Sequence, residues 1–181
     1  MSFNALLSLP APSITLALGG LTTSYVFFSN VSDYQRGCIA FLNGRVGPSV
    51  NQLDQRGRVR LWAKYFKNAA LSVVGTSVVS SLLNLTTAYM HPSANIRQLA
   101  LWSGLTSLLI FPITALSGLL TVNSRLNALA SESDDKQLEF KNETEAKELI
   151  AGWESRHLRR MPTYAIACLL SWAAIILDGR V

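Results

Sequence analysis

Residues 99–122 read LALWSGLTSLLIFPITALSGLLTV, twenty-four positions without an Asp, Glu, Lys or Arg. A helix needs about 20 predominantly apolar residues, within about 17–25, to cross about 30 Å of hydrocarbon, and this stretch is long enough. Three further runs share its character: residues 11–30 (APSITLALGGLTTSYVFFSN), residues 68–90 (NAALSVVGTSVVSSLLNLTTAYM) and the shortest, residues 161–177 (MPTYAIACLLSWAAIIL). Four such runs in 181 residues leave no amphipathic layer to cover them as the buried helices of a water-soluble domain. Composition agrees: charged residues make up 15% of the chain, against about 25% in ordinary soluble domains, and the mean hydropathy is +0.26. The expected fold is all-α, an integral membrane four-helix bundle formed as one domain over residues 1–181. Two long loops, residues 31–67 and 123–160, join the spans. The first run is expected to remain as a helix rather than to be cleaved, because MSFNALLSLPAP carries no Lys or Arg and the run exceeds a signal-peptide core.

Charge sets the expected orientation. The net charge is +5, from 16 Lys and Arg against 11 Asp and Glu. Loop 31–67 holds Arg36, Arg45, Arg56, Arg58, Arg60, Lys64 and Lys67; loop 123–160 holds Arg125, Lys136, Lys141, Lys147, Arg156, Arg159 and Arg160. The other side of the membrane keeps only Arg97 and Arg180. The positive-inside rule then places both long loops in the cytosol and both termini outside it, in a lumen, with the endoplasmic reticulum as the default membrane. The basic excess is therefore topological, and no extended basic groove of the kind single-strand binders use is present; no nucleic-acid partner is expected. On this orientation the sequons at Asn30 and Asn142 stay unmodified, and the one at Asn84 lies within a span.

The spans carry polar detail. Ser72, Gly75, Thr76, Ser77, Ser80, Ser81, Thr86 and Thr87 populate the second, and small or hydroxylated residues let helices approach and hydrogen-bond in lipid; the same density fits a homo-oligomer. Pro112 deprives the Leu108 carbonyl of its helical partner and predicts a kink in the third span. Residues 37–50 (GCIAFLNGRVGPSV) read as a re-entrant or interfacial segment, and the acidic run 132–148 as a solvated loop entering a helix. Trp62 and Tyr65, interleaved with Arg58, Arg60, Lys64 and Lys67, suit the headgroup level; plain interfacial anchoring is the favoured role, with substrate contact as the other.

Candidate chemistry gathers before the last span. In residues 146–160 (AKELIAGWESRHLRR), Trp153, His157 and Arg160 are spaced by four and three and share one helix face. Asn123, where the third span ends, is expected to reach the same level. An unperturbed imidazole titrates near neutrality, which suits His157 to proton transfer. Each residue also has a plainer role, Arg159 and Arg160 as topology anchors, Trp153 as a belt residue and Asn123 as a helix cap. Two cysteines, Cys38 and Cys168, exclude a disulfide framework and a Cys-rich zinc site. His91, read as structural, lies across the membrane from His157, so the two cannot share a metal, and no span contains a carboxylate. No metal and no cofactor is expected. Nucleotide-binding, NTPase and GxSxG hydrolase motifs are absent.

Three short motifs carry a resemblance. Phe111-Pro112-Ile113-Thr114-Ala115-Leu116, Val122-Asn123-Ser124-Arg125-Leu126 and Trp153-x3-His157-x2-Arg160 resemble the anthrone oxygenase family of small four-helix membrane proteins, as does the stretch Trp62–Tyr65. The resemblance covers most of the chain, with its distinctive part in residues 111–160. It implies oxidation of a polyketide anthrone to an anthraquinone with O2, without a cofactor. For that reaction the expected roles are His157 as base, Arg160 and Asn123 as donors to the developing enolate oxygen, and Trp153 as a stacking wall, with Arg125, Trp62 and Tyr65 as further substrate contacts. The partners implied are a lipophilic small molecule and the bilayer. Proton transfer without O2, as in a cyclase or isomerase of a polyketide or terpenoid intermediate, and a non-catalytic membrane partner protein are the alternatives.

Overall fold

The computed structural model describes residues 8–46, 53–131 and 140–179, with the side chains of residues 140–142 set aside. The described residues are helical, without a strand: α1 (Ala11–Arg36), α2 (Cys38–Leu42), α3 (Gln55–Met90), α4 (Ala94–Leu108), α5 (Ile110–Leu116), α6 (Leu119–Ser131), α7 (Phe140–Leu158) and α8 (Met161–Asp178). Four helical stretches are long and apolar enough to cross a membrane: Ala11–Leu42, Gln55–Met90, Ala94–Leu116 and Glu143–Asp178. A helix of 36 residues is about 54 Å long at 1.5 Å per residue, well beyond the hydrocarbon thickness. A crossing of that thickness needs only the charge-free part of each stretch.

Helix boundaries follow local chemistry. The third run does not continue to residue 122. Its helix breaks at Leu109, whose N–H turns back to Thr106 O at 3.1 Å, next to the position where Pro112 removes a donor. It stops at Ser117–Gly118, where Gly118 adopts φ +70°, a conformation that favours glycine. The chain restarts as α6, so residues 119–122 belong to a separate amphipathic helix. The acidic run is helical from Phe140 onward, and its residues 132–139 lie outside the described residues, as do residues 47–52.

The chain divides into two compact units. The first comprises Met1–Phe28, Val73–Ile110 and Pro162–Val181. Its polarity is reversed relative to a water-soluble core. Ser13, Thr23, Ser77, Ser80, Ser81, Asn84, Thr87, Ser103 and Ser171 are buried, while Leu21, Leu82, Tyr89, Trp102, Leu169 and Ile176 are exposed. That distribution suits a hydrocarbon solvent, in which polar side chains satisfy one another inside and apolar ones face out. Ser103 Oγ contacts Ser171 Oγ at 2.8 Å and donates to Ala167 O at 2.8 Å, and Ser171 Oγ donates to Asn84 Oδ1 at 3.1 Å. Thr15 meets Thr87 at 2.8 Å. At one end Ser13 Oγ donates to Asp178 at 2.7 Å and His91 Nε2 meets the same carboxylate at 3.2 Å, while Ser93 N–H donates to His91 Nδ1. His91 thus ties three segments of this unit together.

The second unit comprises Ser29–Ser72 and Phe111–Met161. It has a conventional core of Ile39, Leu42, Val59, Trp62, Leu119, Val122, Leu126, Leu129, Ala146, Ile150 and Trp153. Spacings of three and four put Ala146, Ile150, Trp153 and His157 on one buried stripe of α7, and α6 packs along α7. Apart from His91, every residue singled out above for chemistry falls in this unit.

Candidate functional site

The site starts from the buried stripe of α7. Trp153 is 2% exposed and His157 7%, and their rings stack at 4.8 Å between centroids with an interplanar angle of 22°. The indole N–H of Trp153 donates to Asn123 Oδ1 on α6 at 2.8 Å. Trp62 meets the indole edge-on at 5.9 Å and Tyr65 does so at 6.5 Å. Four aromatic rings and an amide therefore converge where α3, α6 and α7 meet.

Hydrogen bonding fixes the imidazole. His157 Nε2 lies 3.0 Å from Asn30 Oδ1, an acceptor, and Nδ1 faces Arg160 Nη2, a donor. The ring is therefore the neutral tautomer with its proton on Nε2. Burial first, and then the charge of Arg160, push its pKa down from 6.5 to about 3. Titration near neutrality, read from the sequence, is corrected by this surrounding. Arg160 sits in the turn after α7, 8% exposed, with Nη1 3.4 Å from Thr114 Oγ1 on α5.

Asn30 belongs to α1, and one turn further on Asp33 accepts a hydrogen bond from the Tyr65 hydroxyl. Burial, followed by the hydrogen bond and charge of Asp33, pushes the Tyr65 phenol well above its ordinary range, and Arg160 opposes the shift. The same burial, with Asp33, raises the Cys38 thiol to about 11. In the sequence Asn30 is marked only as a sequon and Asp33 has no assigned role. Their signal was a polar pair three residues apart just where the first apolar run gives way to charge, on the side expected to hold His157.

The anthrone oxygenase family model matches residues 62–170. The chain belongs to the anthrone oxygenase family. The matched stretch holds Trp62, Tyr65, Thr114, Asn123, Trp153, His157 and Arg160, while Asn30 and Asp33 precede it. No curated protein and no solved structure matches the chain.

Two expected contacts of this anthrone oxygenase-family chain lie differently. Arg125 does not join the cluster: its exposed side chain forks onto Glu145, Nε to Oε1 at 2.6 Å and Nη2 to Oε2 at 2.7 Å. A guanidinium matched to a carboxylate in this way is held on the outer side of α6. Trp62 is not an interfacial anchor: it is fully buried, stacked on Phe66 at 4.9 Å and 7°, and its indole N–H has no hydrogen-bond partner among the described residues. Tyr65 and Asn123 do reach the aromatic cluster. A cleft of about 450 Å³ is lined by Leu42, Asn43, Gln55, Arg58, Lys147, Ile150 and Ala151, one turn from Trp153 along α7. Among the described residues no three His, Cys, Asp or Glu side chains gather as a metal site.

This arrangement combines a buried cation, a neutral imidazole with one lone pair, and flat aromatic walls. Such a set can stabilise an oxyanion, accept a proton and hold a planar molecule.

Proposed function

We propose that the chain oxidises a planar, lipophilic anthrone to the corresponding anthraquinone with O2, using its own side chains. Family membership supports the reaction class, and the observation that carries the reading is the buried Arg160–His157–Asn30 chain laid against the face of Trp153. An anthrone methylene is doubly benzylic and opposite a carbonyl, so losing a proton gives an aromatic enolate. In the proposed path Arg160 moves an N–H from His157 Nδ1 to the substrate oxygen, which stabilises the enolate and frees Nδ1 to take the methylene proton. The enolate passes an electron to O2, and the resulting carbon radical and superoxide combine to a peroxide. Loss of water leaves the quinone. The balance is one CH2 and one O2 giving one C=O and one H2O.

In this reading Asn123 holds the indole in place through Trp153 Nε1, rather than donating to the enolate. The unpartnered Trp62 N–H and the Asp33–Tyr65 pair are the polar groups left to meet substituents on the rings. The charge split of the loops favours a cytosolic mouth, both termini in a lumen, and the endoplasmic reticulum as the membrane.

The test is oxygen uptake with quinone absorbance, using purified protein and a synthetic anthrone. One O2 per quinone is expected, at a rate above the spontaneous one. His157→Ala is expected to lower kcat about 100-fold or more, the usual weight of a positioned acid–base group. Quinone formation no faster than in buffer, or full turnover in a folded His157→Ala chain, overturns the reading. Conversion of the substrate without oxygen uptake would point to the isomerase alternative.

A further inference from the structure

The groups proposed for the oxidation are closed off. Trp62, Trp153, His157 and Arg160 are all buried, and a flat three-ring molecule cannot reach them unless something moves. Of the elements around them, α3, α6 and α7 supply the rings and the amide of the site. The five-residue α2 supplies none of these groups; it gives Ile39 and Leu42 to the core that holds Trp62 and Trp153. Leu42 and Asn43 also wall the cleft of about 450 Å³, together with Ile150 and Ala151 on α7, so the cleft runs beside α2 within one helical turn of Trp153.

This segment is a strap with a pivot at each end. At Gly37 the chain leaves α1 so tightly that an added Cβ would lie 2.6 Å from Asp33 Cα. At Gly44 it turns with φ +75°, in the left-handed region that favours glycine. Beyond the second pivot Arg45 fastens it. The guanidinium pairs with Glu154 on α7, donates to Tyr34 O at 2.7 Å and lies 4.3 Å from the centre of the Tyr34 ring. Asn43 Nδ2 donates to the other Glu154 oxygen at 2.6 Å. Arg45 is exposed and Glu154 partly so, and pairs that water can reach open at small cost.

We propose that residues 37–45 are the gate of the aromatic site, latched by Glu154 through Arg45 and Asn43, and that their opening admits the flat substrate from the cleft to Trp153 and His157. The proposal rests on the proposed function for the identity of the molecule that enters. Swinging about Gly37 and Gly44 lifts Ile39 and Leu42 from the core and leaves every group of the chemistry in place. Closure over the bound molecule then keeps bulk water from the enolate. Glu154 and Arg45 are positioning residues here, since neither touches the reacting atoms.

The test uses the full chain in an uncharged detergent. Opening is read as the rate at which N-ethylmaleimide modifies Cys38, the first residue of α2, with the site assigned by peptide mass spectrometry. Entry is read as the rate at which anthraquinone quenches tryptophan fluorescence. Glu154→Gln and Arg45→Gln are each expected to raise both rates about 5-fold or more, the weight of one accessible charge pair. The two substitutions remove opposite charges, so a purely electrostatic effect on the thiol would move their labelling rates in opposite directions. Arg125→Gln, which cuts the ion pair to Glu145 elsewhere in the unit, is expected to leave both rates unchanged. Unchanged labelling in either latch variant overturns the proposal. So does a rise in one latch variant with a fall in the other, an equal rise in Arg125→Gln, or faster labelling without faster quenching. None of these readings needs turnover. Faster uptake of anthraquinone in a chain that oxidises no anthrone keeps the gate and removes the proposed function, and turnover with unchanged rates in the latch variants does the reverse.

Discussion

His157 keeps one proton, on Nε2, and the surrounding residues oppose a second. Burial penalises a cationic ring, and the Arg160 guanidinium beside Nδ1 adds to that penalty, which is why its pKa falls to about 3. The unfolded chain, with a pKa near 6.5, therefore binds more protons than the folded one between those values. The contribution of this ring to stability is complete above about pH 6.5 and declines as pH drops toward 3, by at most about 1.4 kcal/mol per pH unit. Thermal unfolding followed between pH 7.5 and 5 is expected to lose stability less steeply in His157→Gln than in the parent chain. On the proposed reaction, kcat/KM is expected to show no acid limb at pH 6–7, because the imidazole is already neutral there. The residue types were legible from the sequence: tryptophan, imidazole and guanidinium spaced by four and three on one helix face. Their partners were not. Asn30 lies 127 positions before His157 in the chain, and only the packing of α1 beside α7 within the second unit brings the amide to Nε2.

The apolar runs fall on helix in the structure, since a hydrocarbon layer constrains the length and charge of what crosses it. Their ends were less legible. The third run continues through Gly118 without a change in hydropathy, so composition could not show that the helix stops there. The stop is conformational: φ +70° at Gly118 turns the chain before α6, and this turn puts Val122, Asn123 and Leu126 against α7. A side chain at Gly118 would meet only Arg156 Nε, at 3.8 Å, so space is not limiting and the strain is in the backbone. Gly118→Ala is expected to destabilise the chain by about 1 kcal/mol, read as a lowered unfolding midpoint. Gly75→Ala is the comparison, since nothing lies within 4 Å of the added methyl and α3 continues through it. That change is expected to leave the midpoint unchanged or raise it. The kink expected from Pro112 is found as the interruption at Leu109, since the missing donor is felt one turn earlier.

Across the molecule the first unit hides its hydroxyls and shows its leucines. The density of Ser and Thr in the second span was plain in the sequence, but which of them face inward was not, because a helix with polar groups all round has no apolar stripe to orient it. Ser77, Ser80, Ser81, Asn84 and Thr87 turn inward, while Thr86 faces out and satisfies itself on Leu82 O. Asn84→Ala removes an amide that is fully buried and bonded to Ser80 O and Ser171 Oγ. It is expected to reduce unfolding free energy by about 1–2 kcal/mol, and Thr86→Ala by less than about 0.5 kcal/mol, measured by denaturation in mixed micelles.

The two thiols have a practical consequence at this scale. Cys168 is buried, and Cys38 is half-buried with its ionisation displaced to about 11, so at neutral pH only about one part in ten thousand of Cys38 is the reactive thiolate. The native chain is therefore close to silent toward maleimides. A single cysteine placed at Tyr89 or Leu116, both almost fully open, can be tagged with a membrane-impermeant reagent without first stripping the protein of its own sulfur. The sidedness of each helix end can then be mapped on an otherwise unaltered molecule.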